Sequence, residues 1–422
     1  MPDIARNNYV FSDGVGKMSE FVARMCADDL KLSGRDPPSA FQFRLGGCKG
    51  VLTVWPDVKQ SDIVVRESQR KFPAEHKGLE IIRPASFATA SLNRQLILVL
   101  TALAVPGSVF EEMQRKELES LRNAMMDPQV AVDKLTSLVD ENQMSLAIAG
   151  MVSDGFMRTK EPFVMNLLQL WRAHRHKSIK ERSKIAIEEG AFLLGVLDET
   201  GTLKGHFEVD HFQTNEEKLA SLPEVFCQIA DTKLPGNYKI IKGVCIIARN
   251  PSLHPGDIRV VRAVDVPELR HLRDVLVLPQ TGDRDLANMC SGGDLDGDDY
   301  IISWDENLIP PIINHEPMNY DSPPQKQQNT PISTGDMIAF FVAYMKNDRL
   351  GSIANTHIVW GDKLEDGVLH PRCKSRHSSK IHGDESLTYC LCRSRASCTA
   401  FHGCGLPQDG MPRYYEEIIE SK

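Results

Sequence analysis

The spacing of apolar residues divides the chain into four regions. Residues 9–60 carry short runs of alternating or continuous apolar positions around turns, which predicts strands, most clearly the pair in FQFRLGGCKGVLTVWPDV. Residues 88–190 repeat apolar positions every three or four residues, which predicts helices. Strand patterns return over 191–305, and a further helix is predicted at DMIAFFVAYMKND. We therefore predict a mixed α+β protein in which two β domains flank a helical spacer.

Composition narrows the class of protein. With 422 residues, 41% hydrophobic and 25% charged, the chain has the profile of a soluble globular protein of two or three domains. Its net charge of −8 gives no sign of a nucleic-acid binder, although a basic groove can coexist with an acidic surface. The N-terminus has no apolar signal core and no stretch approaches a membrane span. We expect an intracellular protein with reduced cysteines and no membrane partner.

Four aspartates lie within six residues in the stretch CSGGDLDGDDYIISWD. Asp294, Asp296 and Asp298 would share one face if this stretch were extended, and Gly297 lets the backbone curl to bring them closer. Carboxylates this close repel one another, which raises their pKa values and destabilises the fold unless a hard cation binds. Magnesium fits, because it takes carboxylate oxygens, keeps positions open for water and phosphate, and serves phosphoryl transfer.

Two other interpretations of the acidic cluster remain. A calcium loop of the EF-hand type also begins with acids at positions one, three and five, but it needs glycine at position six and glutamate at position twelve. Asp299 and Asp305 occupy those two positions, and the flanks are strand-like. A solvated acidic turn is the commoner structure in general, but such a turn rarely lies between SGG and an apolar strand.

Several basic residues are candidates for phosphate binding. Lys17 in SDGVGK and Lys49 in GGCKG lie beside glycines, whose backbone can approach an anion closely. Neither stretch is a Walker loop, because the spacing differs and no serine or threonine follows the lysine. RNPSLHPGDIR adds Arg249, His254 and Arg259 in a loop that contains two prolines. Taken alone, each is a weak signal, and a turn with a surface lysine or a structural loop is the ordinary alternative.

In their order along the chain, these stretches resemble the successive motifs of the eukaryotic cellular RNA-dependent RNA polymerases, the enzymes of RNA silencing. The motifs are FSDGVGK, FQFRLGGCKGVL, LEIIRPASFATASLNRQLILVLTALAVP, GVLDETGTLKG, RNPSLHPGDIRVVRAVD, DVLVLPQTGDRDLANMCSGGDLDGDDYIISWD and FFVAYMKNDRLGSIANTHIVW. The resemblance runs from about Tyr9 to Trp360. It implies two double-psi β-barrels on one chain, the core that multi-subunit RNA polymerases carry on separate chains.

The resemblance implies a role for each candidate residue. Asp294, Asp296 and Asp298 would be the magnesium ligands, with two ions present during catalysis. The implied residues for substrate or phosphate binding are Lys17, Lys49, Arg249, His254 and Arg259. Asp299 has no implied role, and we expect it to face solvent.

The resemblance also implies an activity. The protein would transfer nucleotides from nucleoside triphosphates to an RNA 3′ end on a single-stranded RNA template, and so make double-stranded RNA for silencing. The RNA-silencing machinery would be its partner, in the nucleus, the cytoplasm or both. The alternative is a truncated, non-catalytic fragment of the family that binds RNA at most.

Five segments follow from the pattern and the resemblance together. They are a first β-barrel region over 1–106, a helical spacer over 107–185, a second β-barrel region over 186–308, a loop with a helical segment over 309–372, and an anomalous tail over 373–422.

The tail departs from the family pattern, and family members are longer at both ends. Codons that encode Ala396–Met411 can be chosen so that, read one base later, they give LAALHFMDVDFPKTG, the motif expected there. We infer a frameshift or a retained intron between Cys373 and Ala396. Five residues of this tail look like zinc ligands, but their spacing lacks paired C-x-x-C units, so we predict no zinc site. They are Cys390, Cys392, Cys398, His402 and Cys404.

Overall fold

Fifteen strands and ten α-helices form the part of the chain that the structure, a computed structural model, describes. The described residues are 1–373 without 33–35, 60–61, 77, 209–213, 233, 235, 321–330, 348–349 and 372. The strands are β1 Ala5–Arg6, β2 Tyr9–Val10, β3 Val15–Met18, β4 Ala40–Leu45, β5 Cys48–Val54, β6 Ile63–Val64, β7 Leu79–Pro84, β8 Ala88–Ser91, β9 Ala186–Leu197, β10 Glu224–Ala230, β11 Tyr238–Ile240, β12 Gly243–Arg249, β13 Arg259–Ala263, β14 Val275–Leu278 and β15 Asp299–Ser303. The helices are α1 Glu20–Asp29, α2 Arg94–Ala102, α3 Gly107–Asn123, α4 Pro128–Ser137, α5 Met144–Ser153, α6 Pro162–Arg182, α7 Asn215–Ala220, α8 Leu286–Met289, α9 Thr334–Asn347 and α10 Leu350–Lys363.

The first sheet is built on the hairpin of β4 and β5. Gly46 and Gly47 form its turn with φ of 53° and 81°, the positive values that a tight hairpin turn of this kind requires. β3 pairs parallel to β5, and the strand order is β6-β3-β5-β4-β7. Phe41, Phe43 and Leu52 are fully buried in the core beside it. The strand pair predicted around the two glycines is confirmed.

The predicted helical region is confirmed as five helices, α2 to α6, but its two ends are strands, β8 and the start of β9. Polar caps and prolines mark where they begin: Asn93 caps α2, Asp127 caps α4 ahead of Pro128, and Glu161 caps α6 ahead of Pro162. The apolar faces of α4, α5 and α6 pack into a core of their own. These helices connect the first sheet to the second along the chain.

The second sheet closes on itself. Six strands pair in the cyclic order β9-β15-β12-β13-β10-β14, and β14 pairs back to β9. β8 pairs with β9 and β11 pairs with β10 outside the ring. The mixed α+β prediction is confirmed, and the second strand region contains a closed six-stranded barrel.

One apolar core joins the first sheet to the barrel. Phe11, Val15 and Val51 come from the first sheet region, and Leu295 and Tyr300 come from the barrel region. Both sheets belong to the same compact unit, Met1–Asn319. The loops that leave the first sheet and the barrel are therefore held at fixed positions relative to one another.

The residues from Tyr320 onward belong to a second unit, in which α9 and α10 are described. The helix predicted at DMIAFFVAYMKND corresponds to α9. In the described part of the chain, no helix is both long and apolar enough to cross a lipid bilayer.

A buried carboxylate in the barrel should make stability depend on pH. Asp274, just before β14, accepts a 2.7 Å hydrogen bond from the amide of Ala230, and burial raises its pKa from 3.8 to about 6. The folded protein holds this proton more tightly than the unfolded chain does, so stability falls as pH rises from about 4 to 6. Asp274→Asn should lack this part of the fall. Between pH 4 and pH 7 its free energy of unfolding should therefore drop by up to about 3 kcal/mol less than that of wild type.

Urea unfolding of both proteins at pH 4 and pH 7 measures this difference. Asp285, whose pKa burial also raises to about 6, stays in both proteins, so only their difference reports Asp274. Asp29→Asn, at an exposed position in the last turn of α1, is the control. An equal pH dependence in wild type and Asp274→Asn would contradict the prediction.

Candidate active site

The three alternating aspartates converge on a loop. Asp294, Asp296 and Asp298 lie between α8 and β15, and one oxygen of each carboxylate falls within 4.8 Å of the others. β15 begins only at Asp299, so the loop, not an extended strand, brings the carboxylates together. Gly297 has φ of 129°, which confirms the expected curl at that glycine.

Hydrogen bonds fix the backbone of this loop. The Tyr300 hydroxyl, fully buried in the barrel, donates to the carbonyl oxygen of Asp294 at 2.9 Å. The amide of Asp294 donates to Oδ2 of Asp298 at 3.2 Å, and the amide of Asp296 donates to Oδ1 of Asp294 at 3.2 Å. Each carboxylate is thus held near the other two by the chain that carries them.

The loop packs directly against the first sheet. The amide of Leu295 donates to the carbonyl oxygen of Asp13 at 3.0 Å. Gly14 approaches so closely that an added Cβ would lie 2.5 Å from the Cα of Asp296. SDGVGK therefore needs a glycine at position 14 because the acidic loop occupies the space of a side chain.

Two cations approach the carboxylates from opposite sheets. Lys49, on β5 of the first sheet, forms an ion pair with Asp296. Arg249, at the end of β12 in the barrel, pairs with Asp298 at 2.6 Å and donates to the carbonyl oxygen of Ser291 at 3.2 Å. Lys49 is 40% exposed and Arg249 is 14% exposed, so the lysine is much the freer of the two to change partners.

Burial and mutual repulsion make the three carboxylates unequal. Burial, followed by the charges of Asp296 and Asp298, raises the pKa of Asp294 well above its ordinary value. Burial also opposes ionisation of Asp296, but the hydrogen bond and charge of Lys49 outweigh it and lower the pKa of that carboxyl. Among the described residues, no lysine or arginine pairs with Asp294. The site is short of positive charge at that carboxylate.

Lys17 occupies a different network. Its ammonium pairs with Asp57 at 3.1 Å and lies 3.9 Å from a carboxylate oxygen of Glu199. It also lies 5.0 Å above the ring of Trp55. These contacts tie Lys17 to the junction of the two sheets, and its predicted contact with phosphate stays a prediction.

His254 and Arg259 hold the loop and strand that follow β12. Nδ1 of His254 accepts a 3.1 Å hydrogen bond from the amide of Gly256, while Arg259 donates to the carbonyl oxygen of His315 at 2.6 Å. Arg259 is 1% exposed and His254 is 7% exposed. Both side chains serve the local backbone in these contacts, and their predicted part in phosphate binding stays a prediction.

The expectation that Asp299 faces solvent is wrong. Its side chain is 21% exposed and pairs with Arg83 of the first sheet at 2.7 Å. The same guanidinium donates to the carbonyl oxygen of Gly297 at 3.0 Å. Burial raises the pKa of Asp299, and the nearby Arg83 works against that rise.

Sequence reasoning missed four residues at this site: Asp13, Gln42, Arg83 and Tyr300. Asp13 lies in SDGVGK and Tyr300 in CSGGDLDGDDYIISWD. Both stretches contain other candidate residues, and this proximity was the only sequence signal for these two. Gln42 and Arg83 gave none, because they reach the loop from strands more than 200 positions away in sequence.

Comparison with known proteins matches this chain to one family. Residues 1–376 match the family described as RNA dependent RNA polymerase. The chain belongs to the eukaryotic RNA-dependent RNA polymerase family. RNA-dependent RNA polymerase 1 of Schizosaccharomyces pombe is 40% identical over 417 residues, covering 93% of this chain and 33% of that protein. RNA-dependent RNA polymerase 6 of Arabidopsis thaliana is 38% identical over 378 residues, covering 88% and 31%.

The fold of a solved family member is also similar. The RNA dependent RNA polymerase QDE-1 from Thielavia terrestris superposes with a TM-score of 0.63 at 22% identity, covering 93% of this chain and 45% of that one. The family resemblance read from the motifs is therefore confirmed. The chain spans about a third of the length of the curated relatives named above.

The tail predictions lie outside the described residues. The inferred frame change after Cys373 and the five zinc-like residues of 390–404 both fall in 374–422. They stay predictions.

Proposed function

We propose that this chain carries the catalytic centre of an RNA-directed RNA polymerase, which copies single-stranded RNA into double-stranded RNA from nucleoside triphosphates. The observation that carries the proposal is the convergence of Asp294, Asp296 and Asp298 within 4.8 Å, beside Lys49 from the other sheet. Three carboxylates that can bind metal, with the exposed ammonium of Lys49 beside them, are the groups that nucleotidyl transfer needs. That reaction depends on positioning of the substrate and neutralisation of its charge.

The three aspartates would hold the metal. Their oxygens are hard ligands, and a separation within 4.8 Å suits one cation, because opposite ligands lie about 4 Å apart around magnesium and about 5 Å apart around calcium. Magnesium is proposed over calcium because it keeps water and phosphate in its coordination shell. When bound, two such ions would supply activation of the RNA 3′-hydroxyl and neutralise the leaving pyrophosphate.

The protein's own groups would orient the substrate. Lys49 is exposed enough to leave Asp296 and donate to a triphosphate oxygen, whereas the better-buried Arg249 would stay with Asp298 and keep that carboxylate in place. The predicted contact of Arg249 with phosphate stays a prediction. Phosphate contacts by Lys17, His254 and Arg259 are proposed from the family resemblance alone. No covalent intermediate is needed.

The finer architecture is likewise proposed. We infer two double-psi β-barrels, the first within 1–106 and the second within 186–308, separated by the helical spacer 107–185. The segment 309–372 would follow as loop and helices, and 373–422 would be the mis-framed tail. Supporting this proposal are the sheet around β3, β4 and β5 and the closed ring of six strands.

Substrates and setting follow from the family. The template would be single-stranded RNA, the product would feed RNA silencing through its machinery, and the site of action would be the nucleus, the cytoplasm or both. The relatives named above are about three times as long as this chain. Polymerase activity of this chain is therefore tested directly by a biochemical assay.

The test is template-directed incorporation by the full chain. We expect labelled nucleotides to enter a product complementary to a single-stranded RNA template. Incorporation should require magnesium, and long products should require all four nucleoside triphosphates. The product should resist a nuclease specific for single strands. A folded chain that incorporates nothing would favour the non-catalytic alternative, and incorporation without a template would contradict RNA copying.

Lys49→Ala should weaken triphosphate binding selectively. Loss of one charge-assisted hydrogen bond to phosphate costs about 1.5–3 kcal/mol, which predicts a rise of about 10- to 100-fold in KM for the nucleoside triphosphate. Metal binding by the triad should be retained or become tighter, because Lys49 no longer competes for Asp296. Steady-state kinetics at several triphosphate concentrations, together with direct titration of magnesium, measure both effects.

Lys116→Ala provides the control, since Lys116 is a 70% exposed lysine on α3 that pairs with Glu112. Unchanged triphosphate affinity in Lys49→Ala, or equal weakening in Lys116→Ala, would show that Lys49 does not bind the triphosphate. The alternative of a surface lysine in a turn would then hold.

A further inference from the structure

Arg83 joins the first sheet to the acidic stretch through two hydrogen bonds, and a third bond ties it to Gln42 within the sheet. Its guanidinium donates to Oδ2 of Asp299 at 2.7 Å and to the carbonyl oxygen of Gly297 at 3.0 Å. Its Nε donates to Oε1 of Gln42 at 3.2 Å. Arg83 and Gln42 lie opposite each other on β7 and β4, so the sheet presents them as a pair.

Gln42 completes the contact from the same side. Its Nε2 lies 3.5 Å from the carbonyl oxygen of Asp296, at the limit of a hydrogen bond. An added Cβ on Gly297 would lie 2.0 Å from that same Nε2, so the amide packs tightly against the turn. A residue other than glycine at 297 would push Gln42 away and would also be strained at φ of 129°.

These contacts hold the two peptide groups that lie between the proposed ligands Asp296 and Asp298. The carbonyls of Asp296 and Gly297 set the direction in which the chain leaves one carboxylate and enters the next, Asp298. Partners that orient metal ligands from behind are worth about 10- to 100-fold in metal affinity in other proteins. The planar guanidinium suits this task, because Nη2 donates to both the Gly297 carbonyl and the Asp299 carboxylate while Nε is held by Gln42.

The Arg83–Asp299 pair contributes little to stability by itself. The two side chains are 38% and 21% exposed, and ion pairs open to solvent stabilise a fold by about 1 kcal/mol or less. What the pair does provide is a fixed position for the guanidinium beside the loop. A geometric role is therefore separable from a structural one by experiment.

We infer that Arg83, supported by Gln42, is a positioning residue for the metal-binding triad, and that Asp299 anchors Arg83 instead of binding metal. This inference rests on the metal site of the proposed function. It assigns the fourth aspartate of the cluster a task distinct from the other three. It also makes the metal site a product of both sheets, since the ligands come from the barrel loop and their orientation comes from β4 and β7.

Titration of the full chain with Mn²⁺, followed by electron paramagnetic resonance of the free ion, tests the inference. Asp296→Asn first shows that the observed binding belongs to the triad. Arg83→Lys keeps the charge but loses the planar guanidinium that bonds Gln42, Gly297 and Asp299 together, and it should weaken Mn²⁺ binding about 10- to 100-fold. Asp299→Asn should weaken it in the same direction, and the double variant should lose less than the sum of the two, because both act through one contact.

The matched control is Arg44→Lys on β4, because Arg44 donates to the carbonyl oxygen of Phe43 and makes no contact with the loop in the structure. It should leave Mn²⁺ affinity unchanged. The midpoint of thermal unfolding of Arg83→Lys should lie within a few degrees of the wild-type value. A purely structural role for Arg83 would instead lower the midpoint together with the metal affinity.

Three outcomes would overturn the inference. They are unchanged Mn²⁺ affinity in folded Arg83→Lys, equal weakening in Arg44→Lys, and wild-type binding that Asp296→Asn does not reduce. If Mn²⁺ binds at the triad and Arg83→Lys weakens it, the inference stands even when no RNA-directed incorporation is found. That last result would count against the polymerase activity alone.

Discussion

Asp296→Ala is expected to abolish nucleotide incorporation while the protein stays folded. The substitution removes the middle carboxylate of the triad and the acceptor of the Lys49 ion pair together. Metal-dependent charge stabilisation is worth several kcal/mol in such reactions, and each 1.36 kcal/mol is tenfold in rate, so we expect a loss of at least about a thousandfold. Incorporation of labelled triphosphates on an RNA template, compared with wild type at equal protein concentration, measures it.

Stability should hardly change in this variant. Burial raises the pKa of Asp294 most, and repulsion by Asp296 adds to it. Removing Asp296 relieves that repulsion, and this gain offsets the lost ion pair with the half-exposed Lys49. Thermal unfolding provides that check, and Asp29→Ala on α1 is the matched control for activity. A folded Asp296→Ala protein with near-normal incorporation would rule out the polymerase assignment.

Glu199→Ala is expected to lower the free energy of unfolding by about 3–5 kcal/mol. Glu199 follows β9 of the barrel and accepts two hydrogen bonds of 2.8 Å from Arg66 of the first sheet region. The two side chains are only 5% and 2% exposed, so the substitution leaves a buried guanidinium without its carboxylate. Arg66 keeps its bonds to the carbonyl oxygens of Val15 and Pro2, but these do not neutralise its charge.

Urea unfolding of Glu199→Ala at neutral pH measures the loss. The control is the double variant Arg66→Met with Glu199→Leu, which should recover most of the lost stability, since an apolar pair of similar volume avoids the unpaired charge. A loss below about 1 kcal/mol in Glu199→Ala would show that water reaches Arg66 and that the pair does not hold the two sheets together.

Much of the local structure was predictable from the sequence. The helices from α2 to α6 follow from apolar spacing, and their beginnings follow from caps such as Asp127 with Pro128. The hairpin of β4 and β5 follows from Gly46 and Gly47, because few other residues adopt the positive φ of that turn. These features depend on residues within a few positions of one another, so a local pattern is enough.

The acidic triad was also within reach of the sequence. Asp294, Asp296 and Asp298 stand two apart around a glycine, and a chain that concentrates like charges needs a cation to hold them. The exact conformation was not predictable: an extended strand was the expected way to align them, and a loop closed by Tyr300 and by bonds among the aspartates is what the structure shows.

The sequence by itself determined the helices, the glycine hairpin, the acidic triad and the family. Only the tertiary structure decided that β10 and β14 close the barrel, that Lys49 meets Asp296 while Lys17 pairs with Asp57, and that Asp299 faces Arg83. The physical reason is separation along the chain. Lys49 and Asp296 are 247 positions apart, and Arg83 and Asp299 are 216 apart, so no local periodicity relates them. Their meeting depends on the apolar core that joins the first sheet to the barrel, which is a property of the whole unit.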